Sequence, residues 1–232
     1  MTPQALADRQ VGAPWSARVL RLPGVYRPQT DTLLLASALR REGVRAGTEV
    51  LDLCTGSGAL ALHAARLGAR VTAVDIGRRA VASARLNAAL ARLPVEVRRG
   101  DLFSALPGRS FDALISNPPY VPAPSASVPR RGAQRAWDAG LDGRVLLDRI
   151  CDGAFTALRP GGMLLLVQSA LSCPEKTLSR LAASGLTPVV TDRVKIPFGP
   201  VTRGRKHWLR ARGFLQDHLD LEELVVIRAR KE

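Results

Sequence analysis

Lysine is scarce in this chain, with only Lys176, Lys195, Lys206 and Lys231 among 34 basic residues. The rest are arginines, and against 20 acidic residues they leave a formal net charge of +14. Arginine in such excess beside abundant alanine reads as coding bias of a GC-rich genome as much as selection for phosphate contacts. Charge alone therefore does not make a nucleic-acid binder. Aromatic residues are scarce too, at 4%, which leaves few platforms for stacking single-stranded bases and argues mildly for a protein partner. The three cysteines, Cys54, Cys151 and Cys173, are too few, too far apart and odd in number for a disulfide framework or a metal site. They are expected as small apolar residues in a reducing compartment. His63, His207 and His218 form no ligand cluster, so no metal is expected. No apolar run approaches the eighteen or more residues of a membrane span, and no charged-then-apolar leader marks a signal peptide. At 232 residues the chain suits one α/β domain with a sizeable core, and a soluble, cytoplasmic monomer is expected.

The most informative feature present is Asn117-Pro118-Pro119-Tyr120. Residues 111–116, Phe-Asp-Ala-Leu-Ile-Ser, read as a short buried strand leading straight into it. Two prolines then stop both sheet and helix and stiffen an extended corner. Asn117 offers a side-chain carbonyl, the backbone of Asn117 and Pro118 offers further acceptors, and Tyr120 offers a flat ring. Acceptors beside a ring suit a planar group bearing an NH2, such as a glutamine amide or an adenine edge.

Three more strand ends precede it. Residues 50–54 read as a strand followed by Thr55-Gly56-Ser57-Gly58 and an apolar helix over 59–67. Glycines there let the backbone turn sharply and approach a ligand beside a helix N-terminus. The strand over 70–75 ends in Asp75, whose carboxylate suits the two hydroxyls of a ribose. The strand over 95–99 turns out through Gly100-Asp101-Leu102, where Asp101 suits an adenine amino group and Leu102 covers a ring. Gly56-x-Gly58-x-x-Ala61 also fits a dinucleotide loop. Asp52 tilts the choice, because a carboxylate beside a pyrophosphate is repulsive while one beside an ammonium is favourable. The expected cofactor is S-adenosylmethionine. In a doubly wound sheet all four strand ends share one edge.

On these residues the chain resembles a class I S-adenosylmethionine-dependent methyltransferase, and more narrowly the HemK/PrmC family of glutamine methyltransferases. Residues 25–35 resemble that family's upstream cofactor-capping motif, residues 136–144 the loop and helix start after the NPPY corner, and residues 158–163 the turn entering the fifth strand. The resemblance implies a Rossmann-like, mostly parallel seven-stranded sheet in the order 3-2-1-4-5-7-6 with helices on both faces. It implies a leader and cap helix over residues 1–45 and a catalytic domain over 46–232, without the helical N-terminal domain of bacterial release-factor enzymes. By resemblance, Thr32, Asp52, Cys54, Thr55, Gly56, Gly58, Asp75, Ile76, Asp101, Leu102 and Asn117 hold the cofactor. Asn117, Pro118, Pro119 and Tyr120 bind the acceptor, with Asn117, Pro118 and Tyr120 serving transfer. Cys54 stands where the family has glycine and is expected still to lie in the strand.

The expected reaction is N-methylation of a protein glutamine, for example in a release factor, the alternative being an exocyclic amine of RNA or DNA and, behind both, a cofactor-binding protein without catalysis. The proline-rich residues 121–129 are expected as a substrate-facing flap. If two basic segments, Arg130, Arg131 and Arg135, and the stretch from Arg193 to Arg212, both frame the cleft, the substrate is an RNA, a ribosome-bound factor or an acidic protein face. Short members of the family commonly work with a small zinc-binding activator along the third strand. Here Glu96, Arg98 and Arg99 charge that open edge, so no activator is expected.

Overall fold

The computed structural model describes residues 19–216 and 218–232. Most of the expected leader over 1–45 therefore lies outside the described residues. The first helix, α1 (Thr30–Arg41), starts where Gln29 and Thr32 form a capping box, with Asp31 in its first turn and Arg40 and Arg41 in its last. That charge order complements the helix dipole. The sheet then builds from β1 (Glu49–Leu53), β2 (Arg70–Asp75), β3 (Val95–Arg99), β4 (Phe111–Ser116), β5 (Leu158–Ser169), β6 (Thr187–Pro197) and β7 (Leu221–Arg230). Helices α2 (Ala59–Arg66) and α3 (Arg78–Ala91) supply the first two crossovers, and α4 (Val145–Ala157) and α5 (Pro174–Ala183) follow. Short helices α6 (Pro200–Gly204) and α7 (Lys206–Ala211) lie between the last two strands.

The seven strands run in the order β3-β2-β1-β4-β5-β7-β6, the expected one. The first five strands pair in parallel and β7 runs antiparallel to both β5 and β6. Both faces are covered, so β1, β4 and β5 are nearly continuous runs of buried Leu, Val and Ile, as expected for parallel strands between helix layers. One detail departs from the sequence reading. Residues 158–163 do not precede the fifth strand but belong to it: Phe111 faces Leu158 while Ala113 faces Met163, so the strand bulges through Arg159–Gly162. No helix among the described residues is long and apolar enough to cross a membrane.

Candidate active site

The C-terminal ends of β1, β2 and β4, with the turn out of β3, open onto one cavity of about 870 Å3. Its floor is the loop after β1. Strand β1 ends at Leu53, and Cys54 lies one residue beyond it with φ +58°. The expectation that Cys54 is still in the strand is thus corrected. The position takes the left-handed conformation that glycine adopts without strain, which gives a physical reason for glycine in the family. Gly58 caps α2 at φ +83°, and a Cβ there would stand 3.2 Å from Ala84 Cα. Glycine at 58 serves both the turn and the close approach of α3.

Of the residues expected at the cofactor, Thr32, Cys54, Thr55, Gly56, Asp75, Ile76, Asp101, Leu102 and Asn117 all line this cavity. Asp52 and Gly58 stand behind the wall. Asp52 is buried, and its Oδ2 accepts hydrogen bonds from the Thr55 hydroxyl at 2.6 Å and the Ala61 amide at 3.1 Å. Its work in the fold is to bend the loop. Burial pushes its carboxyl up to about 7, and Oδ1 has no hydrogen-bond partner. The charge contrast drawn from Asp52 therefore carries less weight than expected, because near neutral pH that group is only partly ionised. Asp75 is better placed. Its two oxygens accept from the Gly56 and Gly77 amides at 3.0 and 2.7 Å, which fixes the carboxylate and leaves acceptor capacity toward the cavity. Burial raises its pKa despite those two bonds. Asp101 accepts from Arg149 through Oδ2 at 2.8 Å, and Leu102 lies buried beside it with φ +49°. The acceptor set fits a ligand that brings its own hydroxyl and amino donors, as an adenosine does.

The Asn117–Tyr120 corner forms another wall. Ser116 secures its start by donating to the Leu53 carbonyl at 2.9 Å. Asn117 Nδ2 donates to Thr32 Oγ1 at 3.3 Å. Tyr120 is buried, and its hydroxyl donates to Asp31 Oδ2 at 3.0 Å. The same oxygen receives the Tyr26 hydroxyl at 2.7 Å. Burial first, then the adjacent Asp31, raises both tyrosines well above the ordinary phenol range. Sequence reasoning missed Asp31. As an acid in the first turn of a helix it looks like a dipole partner, and nothing local marks it as the meeting point of two motifs.

The segment after the corner is pinned rather than loose at its base. The Val121 amide donates to the Trp137 carbonyl, the Val121 carbonyl accepts from the Ala139 amide, and Ala123 donates to the Gly140 carbonyl. Residues 126–129 line the cavity, in the place expected of a flap. Arg144 is buried, donating to the Ser172 and Cys173 carbonyls, Thr177 and Asp148.

The two basic segments part company. Arg130, Arg131 and Arg135 line the cavity, joined by Arg78, Arg79 and Arg149. The stretch from Arg193 to Arg212 does not. Arg193 pairs with Glu223, Lys206 with Asp220, and Arg205 with Asp138 while also donating to the Pro122 carbonyl. Arg205 thus braces the base of the flap from behind. The condition that both segments frame the cleft is met by the first and not by the second.

Comparison with known proteins agrees with this architecture. The Methyltransferase small domain family matches residues 16–129. Methyltransferase HEMK2 of Mus musculus is 35% identical over 170 residues, 70% of this chain and 79% of its own. A release factor glutamine methyltransferase of Deinococcus radiodurans is 38% identical over 197 residues, 81% of this chain but 66% of its own. Among solved structures, the E. cuniculi Mtq2–Trm112 complex, described as responsible for methylating the eRF1 termination factor, covers 90% of this chain and 99% of its own at TM-score 0.64 and 26% identity. The chain belongs to the HemK-type family of S-adenosylmethionine-dependent methyltransferases.

Proposed function

We propose that this chain methylates the side-chain amide nitrogen of a glutamine in a protein, a translation release factor first of all. The observation that carries this reading is the single cavity walled on one side by Asp75 and Asp101 and on another by the Asn117–Tyr120 corner. When bound, S-adenosylmethionine supplies an electrophilic methyl group. In this reading Asp75 takes the ribose hydroxyls, and Asp101 and Leu102 take the base. On the acceptor side an amide nitrogen is a poor nucleophile, because its lone pair is delocalised. The Asn117 side-chain carbonyl and the Pro118 backbone carbonyl hold its two N–H groups, and the Tyr120 ring packs on its plane. Fixing the nitrogen in this way supplies positioning, worth up to about 7–11 kcal/mol in the best intramolecular cases. Carbonyl dipoles aimed at a nitrogen that becomes positive also stabilise the transition state more than the ground state. No side chain is required as general base.

The arginine rim favours a second reading, an RNA amine, since cations drawn from three segments meet at the mouth. Labelled S-adenosylmethionine separates the two. Purified protein is expected to label a release factor on the glutamine of its Gly-Gly-Gln loop, and a factor with that glutamine changed to alanine is expected to stay unlabelled. Label that enters RNA from a cell extract and vanishes with nuclease would replace the first reading by the second.

We infer further that the chain folds without a zinc-protein activator. Among the described residues, strand β3 pairs only with β2, and its other edge carries no strand. Glu96 on it accepts from Arg109 and Arg98 at 2.8 and 2.6 Å and from Thr72 at 3.0 Å. Arg109 first, with Arg98 and Thr72, holds its carboxyl down at about 2. Leu86 and Leu90 stand exposed on α3, which packs against β3. Leu20 and Leu22 are exposed too and donate their amides to Asn87 and Ser83 of that helix, so the inference rests on the charged strand edge. Expression alone is expected to yield folded, monodisperse protein with a cooperative melt. Precipitation relieved only by coexpression of a small zinc protein would show the opposite.

A further inference from the structure

Asp31 is buried, yet it receives four hydrogen bonds that join two motifs about ninety residues apart in sequence. Oδ2 accepts the hydroxyls of Tyr26 and Tyr120, at 2.7 and 3.0 Å. Oδ1 accepts the Thr32 amide at 2.6 Å and the Thr32 hydroxyl at 3.0 Å. A carboxylate only accepts, so the directions of these bonds are fixed. Thr32 has one hydroxyl proton, and Asp31 takes it. Thr32 Oγ1 is then left with lone pairs alone, filled by the Gln29 amide at 3.4 Å and by Asn117 Nδ2 at 3.3 Å.

That accounting decides which way Asn117 faces. An asparagine amide turned end for end would set its carbonyl oxygen against an Oγ1 that has no proton left to give. The nitrogen must face Thr32, and the carbonyl oxygen is turned away from it. We propose that Asp31 is a positioning residue for methyl transfer. Through the Thr32 hydroxyl it sets the direction of the Asn117 amide and polarises its carbonyl toward the acceptor nitrogen, and through the Tyr120 hydroxyl it anchors the ring of the same corner. The polarisation follows from chained hydrogen bonds, each strengthening the next in a medium drier than water. The inference rests on the reading of Asn117 as acceptor for the target N–H. It gives the Tyr120 hydroxyl a task, where the sequence alone gave weight only to the ring.

The test uses Asp31→Asn, Thr32→Val and Thr32→Ser in the full chain. Asp31→Asn is expected to lower kcat on a release-factor acceptor about 30-fold, the rate equivalent of one hydrogen bond to a charged group, with the acceptor KM changed less than about threefold. Thr32→Val keeps the side-chain shape and removes the relay, and is expected to cost about tenfold in kcat by the same reckoning. Thr32→Ser, which restores the hydroxyl, is expected to recover most of that loss. A readout free of any substrate runs alongside: in 15N-labelled protein one Asn117 side-chain proton is expected to be protected from exchange, and Thr32→Val to release it. Wild-type kcat in both Asp31→Asn and Thr32→Val, or an Asn117 amide indifferent to Thr32, overturns the proposal. So does a Thr32→Ser variant as slow as Thr32→Val. If the wild-type protein labels no glutamine at all, the substrate reading fails, and the exchange measurement still decides the relay.

Discussion

Asn117→Ala is expected to lower methyl transfer by about 10³-fold, the upper range for removing one group that faces developing charge in a transition state, while the protein stays folded. The residue is half-buried at the end of β4, and its side chain donates a hydrogen bond to Thr32. Truncation opens no core cavity, because the packing beneath it is carried by Leu114 and Ile115, both fully buried. Cofactor affinity is expected to fall only a few-fold, since Asp75 and Asp101 are untouched and stand on other strand ends. Calorimetry with S-adenosylmethionine and a kcat measurement on the same preparation separate the two quantities. Equal turnover by wild type and Asn117→Ala would remove this corner from the mechanism. A loss confined to cofactor binding would move Asn117 from the acceptor side to the donor side of the cavity.

What the sequence made legible were elements whose signal is local. Helix α1 falls on Thr30–Arg41, within the span expected to hold the cap helix, and its charge order and apolar spacing both lie within twelve residues. Strands β2, β3 and β4 fall where alternating or continuous apolar runs end in an acid, a glycine or the proline pair. Their shared edge follows from the handedness of parallel crossovers. Harder to read were features that depend on distant partners. The stretch from Arg193 to Arg212 is dense with charge, but Glu223, Asp138 and Asp220 pair with Arg193, Arg205 and Lys206 from elsewhere in the chain. Asp52 invites a reading as a free carboxylate until burial shows it serving Thr55 and Ala61. Asp31 is the clearest case, since its meaning lies in Tyr120, 89 residues away.

Gly143 carries the second large effect. Residues 136–144 were recognisable by resemblance, and the fold supplies the reason for their pattern: Val121 accepts from Ala139, Ala123 donates to Gly140, and Arg144 anchors the start of α4 to the turn between β5 and α5. Gly143 sits where this segment crosses the proline corner, at φ +74°, and a Cβ there would stand 2.3 Å from the Tyr120 carbonyl oxygen and 3.1 Å from Pro122. No flexible side chain can yield, because the obstacles are backbone and a proline ring. Gly143→Ala must therefore displace the corner by roughly 1 Å, and a misplacement of that size costs about 10²-fold in a positioned reaction. The expected result is a kcat about 100-fold down with S-adenosylmethionine affinity retained, because the walls at Asp75 and Asp101 do not touch Gly143. The left-handed conformation alone costs an alanine on the order of 1–2 kcal/mol, and that cost needs its own control. Gly108→Ala provides it: Gly108 has φ +72° with nothing within 4 Å of its Cβ position and lies outside the cavity wall. Thermal melts of the two variants are expected to show Gly108→Ala carrying the conformational penalty with wild-type turnover, and Gly143→Ala losing turnover beyond anything its melting temperature explains. Matched turnover in the two variants would mean that the corner tolerates displacement, and positioning by Asn117 and Tyr120 would then not be what accelerates the transfer.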